Sequence, residues 1–143
     1  MINKEDISSI PIKGDVNFRE QKIDKNHTAL LIIDMQKGEY NSELIKEKPQ
    51  DNYMWDRIKN VVLPNGKKII EKCRQNKIEV IFTVIESYTQ DGRDRGIDYK
   101  ISGIFCPKNS KGAEVIDEIK PLENEIIIPK TSSSVFNSTN IEY

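Results

Sequence analysis

The sequence predicts an α/β fold built on a parallel sheet, and three observations carry the prediction. The apolar runs ALLIID, EVIFTVIE and EIII are short, and branched residues dominate them. Segments with helical spacing or helix-stop residues lie between them. The resulting order, strand–helix–strand–helix–strand, is that of parallel strands joined by right-handed crossovers. The 143 residues suffice for one domain with a core, and no internal repeat or linker divides them.

Residues 1–27 are mixed polar with Pro11 and Gly14, and read as an N-terminal arm ahead of a domain over 28–143. Ala29–Asp34 is a continuous apolar run closed by a carboxylate, the pattern of a strand buried on both faces. Residues 37–55 carry charge and Pro49 without a period, which predicts a loop with a helical turn at most. In VVLPNGKKIIEKCRQNK, Val62, Ile69, Ile70 and Cys73 recur at helical spacing with basic residues opposite. Glu79–Glu86 is a second strand, β-branched and aromatic. Residues 87–110 read as a long polar loop of the kind that is functional or disordered. Ala113, Val115, Ile116 and Ile119 predict a short amphipathic helix stopped by Pro121. Glu125–Ile128 is the third strand, and Ser138-Thr139-Asn140 reads as a helix start.

Composition narrows the function classes. Lys plus Arg is 22 and Asp plus Glu is 23, a formal charge of −1, so nothing points to nucleic acid or an anionic membrane. No apolar run approaches the roughly 20 residues that span a bilayer, and MINKEDISSIPIKGD has no signal-peptide core. Cys73 and Cys106 make no disulfide framework, so a cytoplasmic location is expected. The glycosylation patterns Asn26-His27-Thr28 and Asn137-Ser138-Thr139 are then coincidental. His27 is the only histidine, which excludes a Ser-His-Asp triad or a histidine-rich metal site within these residues. No metal and no cofactor are expected. Gly92, Gly96 and Gly103 make no phosphate-binding fingerprint, which counts against an unrelated nucleotide-type domain.

Open α/β sheets bind ligands at the carboxyl ends of their strands. The three strands here end in Asp34, Glu86 and Pro129-Lys130. A carboxylate and an amine brought to one rim can work as a coupled acid–base pair, each shifting the other's pKa. The same residues can equally be an ion pair or solvated strand ends.

ALLIIDMQ, the strand-end lysine of IIIPK and the Ser133–Phe136 segment together resemble the isochorismatase-like cysteine hydrolases. TQDGRDRGIDYKISG and PKTSSSVFNSTN are similar to the amidohydrolase branch, which cleaves ureido or related amide C–N bonds. The resemblance runs from about Asp24 to Tyr143. It implies a Rossmann-like three-layer αβα sheet, of which this chain supplies one half, about three strands in the order 3-2-1. It also implies an Asp-Lys-Cys triad, with Asp34 as general base and Lys130 supporting the thiolate and the charge of acyl transfer. The family's cysteine lies at a helix N-terminus after the fourth strand, where the helix dipole lowers a thiol pKa. The chain is expected to end before that segment, and so to be inactive alone. Neither Cys73, on an apolar helix face, nor Cys106, before a helix, matches the nucleophile.

Four further residues have a substrate-binding reading beside a local one. Gln36 can orient Asp34 or touch substrate, or make a local hydrogen bond. Glu86 can meet a substrate amide N–H or stay solvated. Phe136 can wall the pocket, although a core aromatic is the better reading. Asn137 can contact substrate or cap the last helix. Arg93, Asp94, Arg95, Asp98, Tyr99 and Lys100 are expected to cross-bridge their own loop. The partner implied is a small-molecule amide. The alternative is a non-catalytic interaction module that forms a homo-oligomer, or pairs with another chain, through the apolar edge of the first strand.

Overall fold

The computed structural model describes residues 23–38 and 52–141. Most of the expected arm, residues 1–22, lies outside them, as does the 39–51 part of the expected loop. Residues 24–28 form a turn held by Asp24, whose carbonyl accepts the His27 N–H and the Thr28 hydroxyl.

Three parallel strands form one sheet in the order β1-β2-β3: β1 Ala29–Ile33, β2 Glu79–Ile85 and β3 Ile126–Lys130. This is the predicted 3-2-1 order read from the other side. Leu31 stands opposite Ile81, Ile81 opposite Ile126, and Ile85 opposite Lys130. Only β2 is flanked on both sides, and Phe82, Thr83 and Val84 are its most deeply buried residues. β1 is not buried on both faces as its apolar run predicts. It lies at an edge of the described sheet, and Ile33 is 59% exposed. β3 continues past Ile128 through Pro129 and Lys130. As the other edge strand it tolerates a proline without an N–H.

Side chains alternate across a strand, so Leu30, Ile32, Val80, Phe82 and Val84 share one face. A helical rod covers that face. It begins as α1, Asn52–Arg57, widens into one π-type turn over Ile58–Val62, and continues as α2, Leu63–Gln75. Pro64 at the start of α2 has no N–H to give the preceding turn, which accounts for the irregular winding there. The wide turn also resets the buried stripe. Ile58, Leu63 and Ile70 face the core with Cys73 packed beside them, while Val62 and Ile69, expected on that face, are 45% and 52% exposed. Arg74 ties the end of α2 to the entry of β3 through paired hydrogen bonds of 2.8 and 2.7 Å to Glu125.

The connection from β2 to β3 corrects two expectations. Residues 87–110 are not all loop: α3, Ile97–Ser102, lies among them and ends at Gly103, whose φ of 70° is the left-handed conformation glycine adopts freely. Residues 113–119 are not an amphipathic helix. Two single 3-10 turns, Lys111–Ala113 and Asp117–Ile119, flank an extended piece in which Val115 pairs antiparallel with Gln36. That pairing, sealed by Lys37 N–H to Glu114 O and Ile116 N–H to Met35 O, competes successfully with helix formation. Ala113, Val115, Ile116 and Ile119 are still all buried. The last helix, α4, runs Val135–Ser138, so it ends where the sequence suggested a beginning. Phe136 on it is 62% exposed and is no core aromatic. Among the described residues, no helix is long and apolar enough to cross a membrane.

Candidate active site

The sheet brings the ends of β1 and β3 together across β2. Asp34, the first residue past β1, holds φ at +54°, a strained conformation that aspartate tolerates better than most residues. Its N–H reaches the Thr83 carbonyl at 3.0 Å. The Thr83 hydroxyl donates to Asp34 Oδ1 at 2.9 Å. This turn of the chain carries the carboxylate over the end of β2 instead of along the strand.

Lys130 is the last residue of β3, and its side chain is only 3% exposed against 23% for Asp34. Its Nζ donates to Asp34 Oδ2 at 2.8 Å, to the Tyr99 phenol oxygen at 2.6 Å and to the Ser132 carbonyl at 3.4 Å. Three acceptors match the three hydrogens of an ammonium. Burial works against that charge, but the hydrogen bonds to Asp34 and Tyr99 outweigh it and hold the lysine above its ordinary value. Burial also raises the Tyr99 phenol, more than the neighbouring ammonium lowers it, so the phenol keeps its proton at neutral pH. The result is a desolvated ion pair whose carboxylate alone meets solvent.

The other predicted positions fall elsewhere. Gln36 is 1% exposed and bonds to backbone: its amide nitrogen donates to Ile85 O at 3.0 Å and Gly112 O at 2.9 Å, and its oxygen accepts the Ile85 N–H at 2.5 Å. It bolts the end of β2 to the 112–115 segment. Glu86 alternates to the face opposite Thr83 and Lys130. There it accepts the Asn109 N–H at 2.7 Å and lines an open cavity of about 660 Å³ with Val84, Glu114 and Leu122. Asn137 lines a separate cleft of about 510 Å³ beside the Lys130 strand end, walled by Asp98 and the hydroxyl run Thr131–Ser134. The sequence therefore finds Asp34 and Lys130, and the structure joins them. It does not find Thr83 and Tyr99, which complete the hydrogen bonding. In the sequence Tyr99 stands out only as part of a charged loop. Arg95 and Asp94 do bridge the loop itself: Arg95 donates to Gly92 O and Ile104 O and stacks on Phe105, while Asp94 accepts from Tyr88 N–H and the Thr89 hydroxyl. Asp98 instead accepts the Ser133 N–H from outside the loop.

Both cysteines lie within the described residues. Cys73 packs with the core under β1 and β2. Cys106 is buried, its sulfur 3.7 Å from the Gln36 amide nitrogen and 3.3 Å from the Ser110 hydroxyl. Among the described residues, the Asp34 and Lys130 side chains hydrogen-bond to each other and to Thr83, Tyr99 and Ser132. No group of three or more His, Cys, Asp or Glu side chains among the described residues could hold a metal ion.

The parallel sheet with helices defines an α/β class, and comparison with known proteins names the family. The isochorismatase domain family matches residues 28–143, and the chain belongs to that family. It is 31% identical over 86 residues to an N-carbamoylsarcosine amidase of an Arthrobacter species, covering 57% of this chain and 33% of the relative. An uncharacterised isochorismatase family protein of Bacillus subtilis is 32% identical over 115 residues, covering 80% of this chain and 49% of the relative. The chain thus spans between a third and a half of the length of these relatives. The crystal structure of N-carbamoylsarcosine amidase from Thermoplasma acidophilum superposes with a TM-score of 0.58 at 25% identity, covering 80% of this chain and 58% of that one. A cysteine hydrolase from Pseudomonas syringae shares the fold, with a TM-score of 0.61 at 21% identity over 81% of this chain and 52% of its own.

Proposed function

We propose that these residues form the acid–base half of an amidohydrolase that cleaves an amide or ureido C–N bond of a small molecule through a cysteine nucleophile. The observation that carries the reading is the 2.8 Å contact between Lys130 Nζ and Asp34 Oδ2 at the sheet's carboxyl rim. Asp34 takes the thiol proton, because it is the member of the pair that meets solvent and keeps acceptor capacity beyond Thr83 and Lys130. Lys130 remains an ammonium and offsets the negative charge as it passes from the Asp34 carboxylate to the thiolate and then to the tetrahedral intermediate. The thiolate attacks the carbonyl carbon, the C–N bond breaks as protonated Asp34 gives its proton to the leaving amine, and water, giving a proton back to Asp34, cleaves the acyl-enzyme and frees the thiol. Cys73 and Cys106 are both engaged elsewhere, so the nucleophile is assigned to polypeptide beyond these residues. The two N-carbamoylsarcosine amidases among the similar proteins support a ureido or carbamoyl substrate class. The cleft lined by Thr131–Ser134 and Asn137 supplies polar contacts suited to such a group.

The test is to read the coding sequence past Tyr143, express the protein it encodes and assay ammonia release from ureido and carbamoyl compounds. A further strand with a cysteine at the following helix start, together with turnover, supports the proposal. A continuation without such a cysteine sinks it.

A second reading is favoured by β1, an edge strand whose Ile33 is 59% exposed. The chain would then act as an interaction module that pairs with a second copy through that edge. Light scattering of the purified 143-residue chain decides: a stable monomer at high concentration is incompatible with edge pairing.

A further inference from the structure

We propose that Tyr99 is a positioning residue of the Asp34–Lys130 pair: its buried phenol oxygen fixes where the ammonium sits and so keeps it on the carboxylate. The inference rests on reading that pair as the acid–base machinery. Three observations converge on it. Tyr99 is 2% exposed, and its oxygen lies 2.6 Å from Lys130 Nζ. The ammonium lies 5.3 Å from the Tyr99 ring centroid, which together with the 2.6 Å contact places it beyond the phenol tip, so the oxygen and not the π face holds it. The helix that carries Tyr99 is fastened to the chain segment that carries Lys130 at two further points. Gly96 N–H donates to Thr131 O at 2.7 Å, and Ser133 N–H donates to Asp98 Oδ2 at 2.6 Å.

The fastening depends on Gly96. A Cβ there would stand 2.5 Å from Asp98 Oδ1 and 2.9 Å from the Ser132 Cβ. Tyr99 therefore arrives over Lys130 on a short helix clamped to the strand end, not as a chance neighbour. The groups that face the ammonium are Asp34 from the end of β1, Tyr99 from α3 and the Ser132 carbonyl from the loop after β3. Asp98 stands next along the same clamp, its carboxyl held below the usual range by the hydrogen bonds from Ser133. A phenol that stays protonated can accept from the ammonium without neutralising it, which leaves Asp34 as the anion paired with it among the described residues.

Tyr99→Phe removes the oxygen and keeps the ring. Its effect is read on the full chain, with lysine side chains labelled with ¹⁵N and the Lys130 Nζ signal assigned by its loss in Lys130→Arg. The expected result is a lower titration midpoint for Lys130 and ammonium hydrogen exchange about tenfold faster or more, as loss of one hydrogen bond to a charged group requires. An unchanged midpoint and unchanged exchange in a folded Tyr99→Phe protein overturn the proposal. If that variant does not fold, Gly96→Ala decides, since it keeps the phenol but displaces its helix. A Lys130 signal that moves in the same direction supports the assignment, and an unmoved one overturns it. None of these readouts needs turnover, so a failure of the hydrolase reading and a failure of the Tyr99 assignment are separable.

Discussion

Breaking the Asp34–Lys130 pair one partner at a time gives a thermodynamic signature that a surface ion pair would not. Asp34→Asn keeps a side-chain oxygen near Lys130 Nζ and suits the +54° φ, so it removes the charge and little else. The ammonium left behind is 3% exposed, with Tyr99 and Ser132 as its remaining acceptors. Removing one partner of a buried pair costs about 3–5 kcal/mol. The retained amide acceptor returns about 1 kcal/mol, which leaves about 2–4 kcal/mol. At about 3–4 °C per kcal/mol for a chain of this size, Tm falls by roughly 6–16 °C. Lys130→Met leaves the carboxylate, which is 23% exposed, and costs less, about 1–3 kcal/mol. The double variant carries neither charge, so it loses less than the sum of the two, with a coupling of about 2 kcal/mol. Urea denaturation of the four proteins at neutral pH measures this. The Lys130 pKa is raised by folding, so the pair's contribution is complete below the ordinary lysine value of 10.5. It is lost as pH rises through the folded value, and on the alkaline side the gap between the unsubstituted protein and Asp34→Asn narrows there. An additive cycle, with coupling under about 0.5 kcal/mol, refutes the desolvated-pair description.

Two other substitutions probe the frame around the site. Gln36→Leu strands the Ile85 N–H and the Ile85 and Gly112 carbonyls in a buried position, and is expected to cost about 3 kcal/mol or more in urea denaturation. A loss under about 1 kcal/mol would mean that those groups find other partners. Gly66→Ala adds a methyl group to α2 where nothing lies within 4 Å, beside a cavity of about 150 Å³ lined by Leu31, Met35 and Ile70. It is expected to stabilise the protein by about 0.5–1 kcal/mol, and a lower Tm would contradict the helix placement.

β2 was legible because burial of a central strand leaves a continuous apolar run, β1 and β3 because branched apolar residues favour strands even at an edge, and the site pair because both members terminate such runs. What escaped was set by tertiary contacts. α3 shows no apolar stripe: Ile97 and Ile101 are 73% and 79% exposed, and its inward residue is Tyr99. Acidic Asp98 in its first turn and Gly103 beyond its end were the available signals. The spacing of Ala113, Val115, Ile116 and Ile119 fits a helix, yet pairing with Met35–Lys37 draws the segment into extended form. The period through Val62 and Ile69 failed because the π-type turn before Pro64 shifts the phase of the stripe. Thr83 could not be identified as the partner of Asp34, because register between strands decides that contact and no local pattern encodes it.

The central claim is that Asp34 and Lys130 carry amide hydrolysis as a pair. Steady-state ammonia release by the protein that contains these residues, compared with its Asp34→Asn and Lys130→Ala variants, tests it most directly. The account predicts that each variant folds and loses at least about 10³-fold in kcat, the scale of a general base or a charge-stabilising group. Turnover within tenfold of the unsubstituted protein in either variant would contradict it.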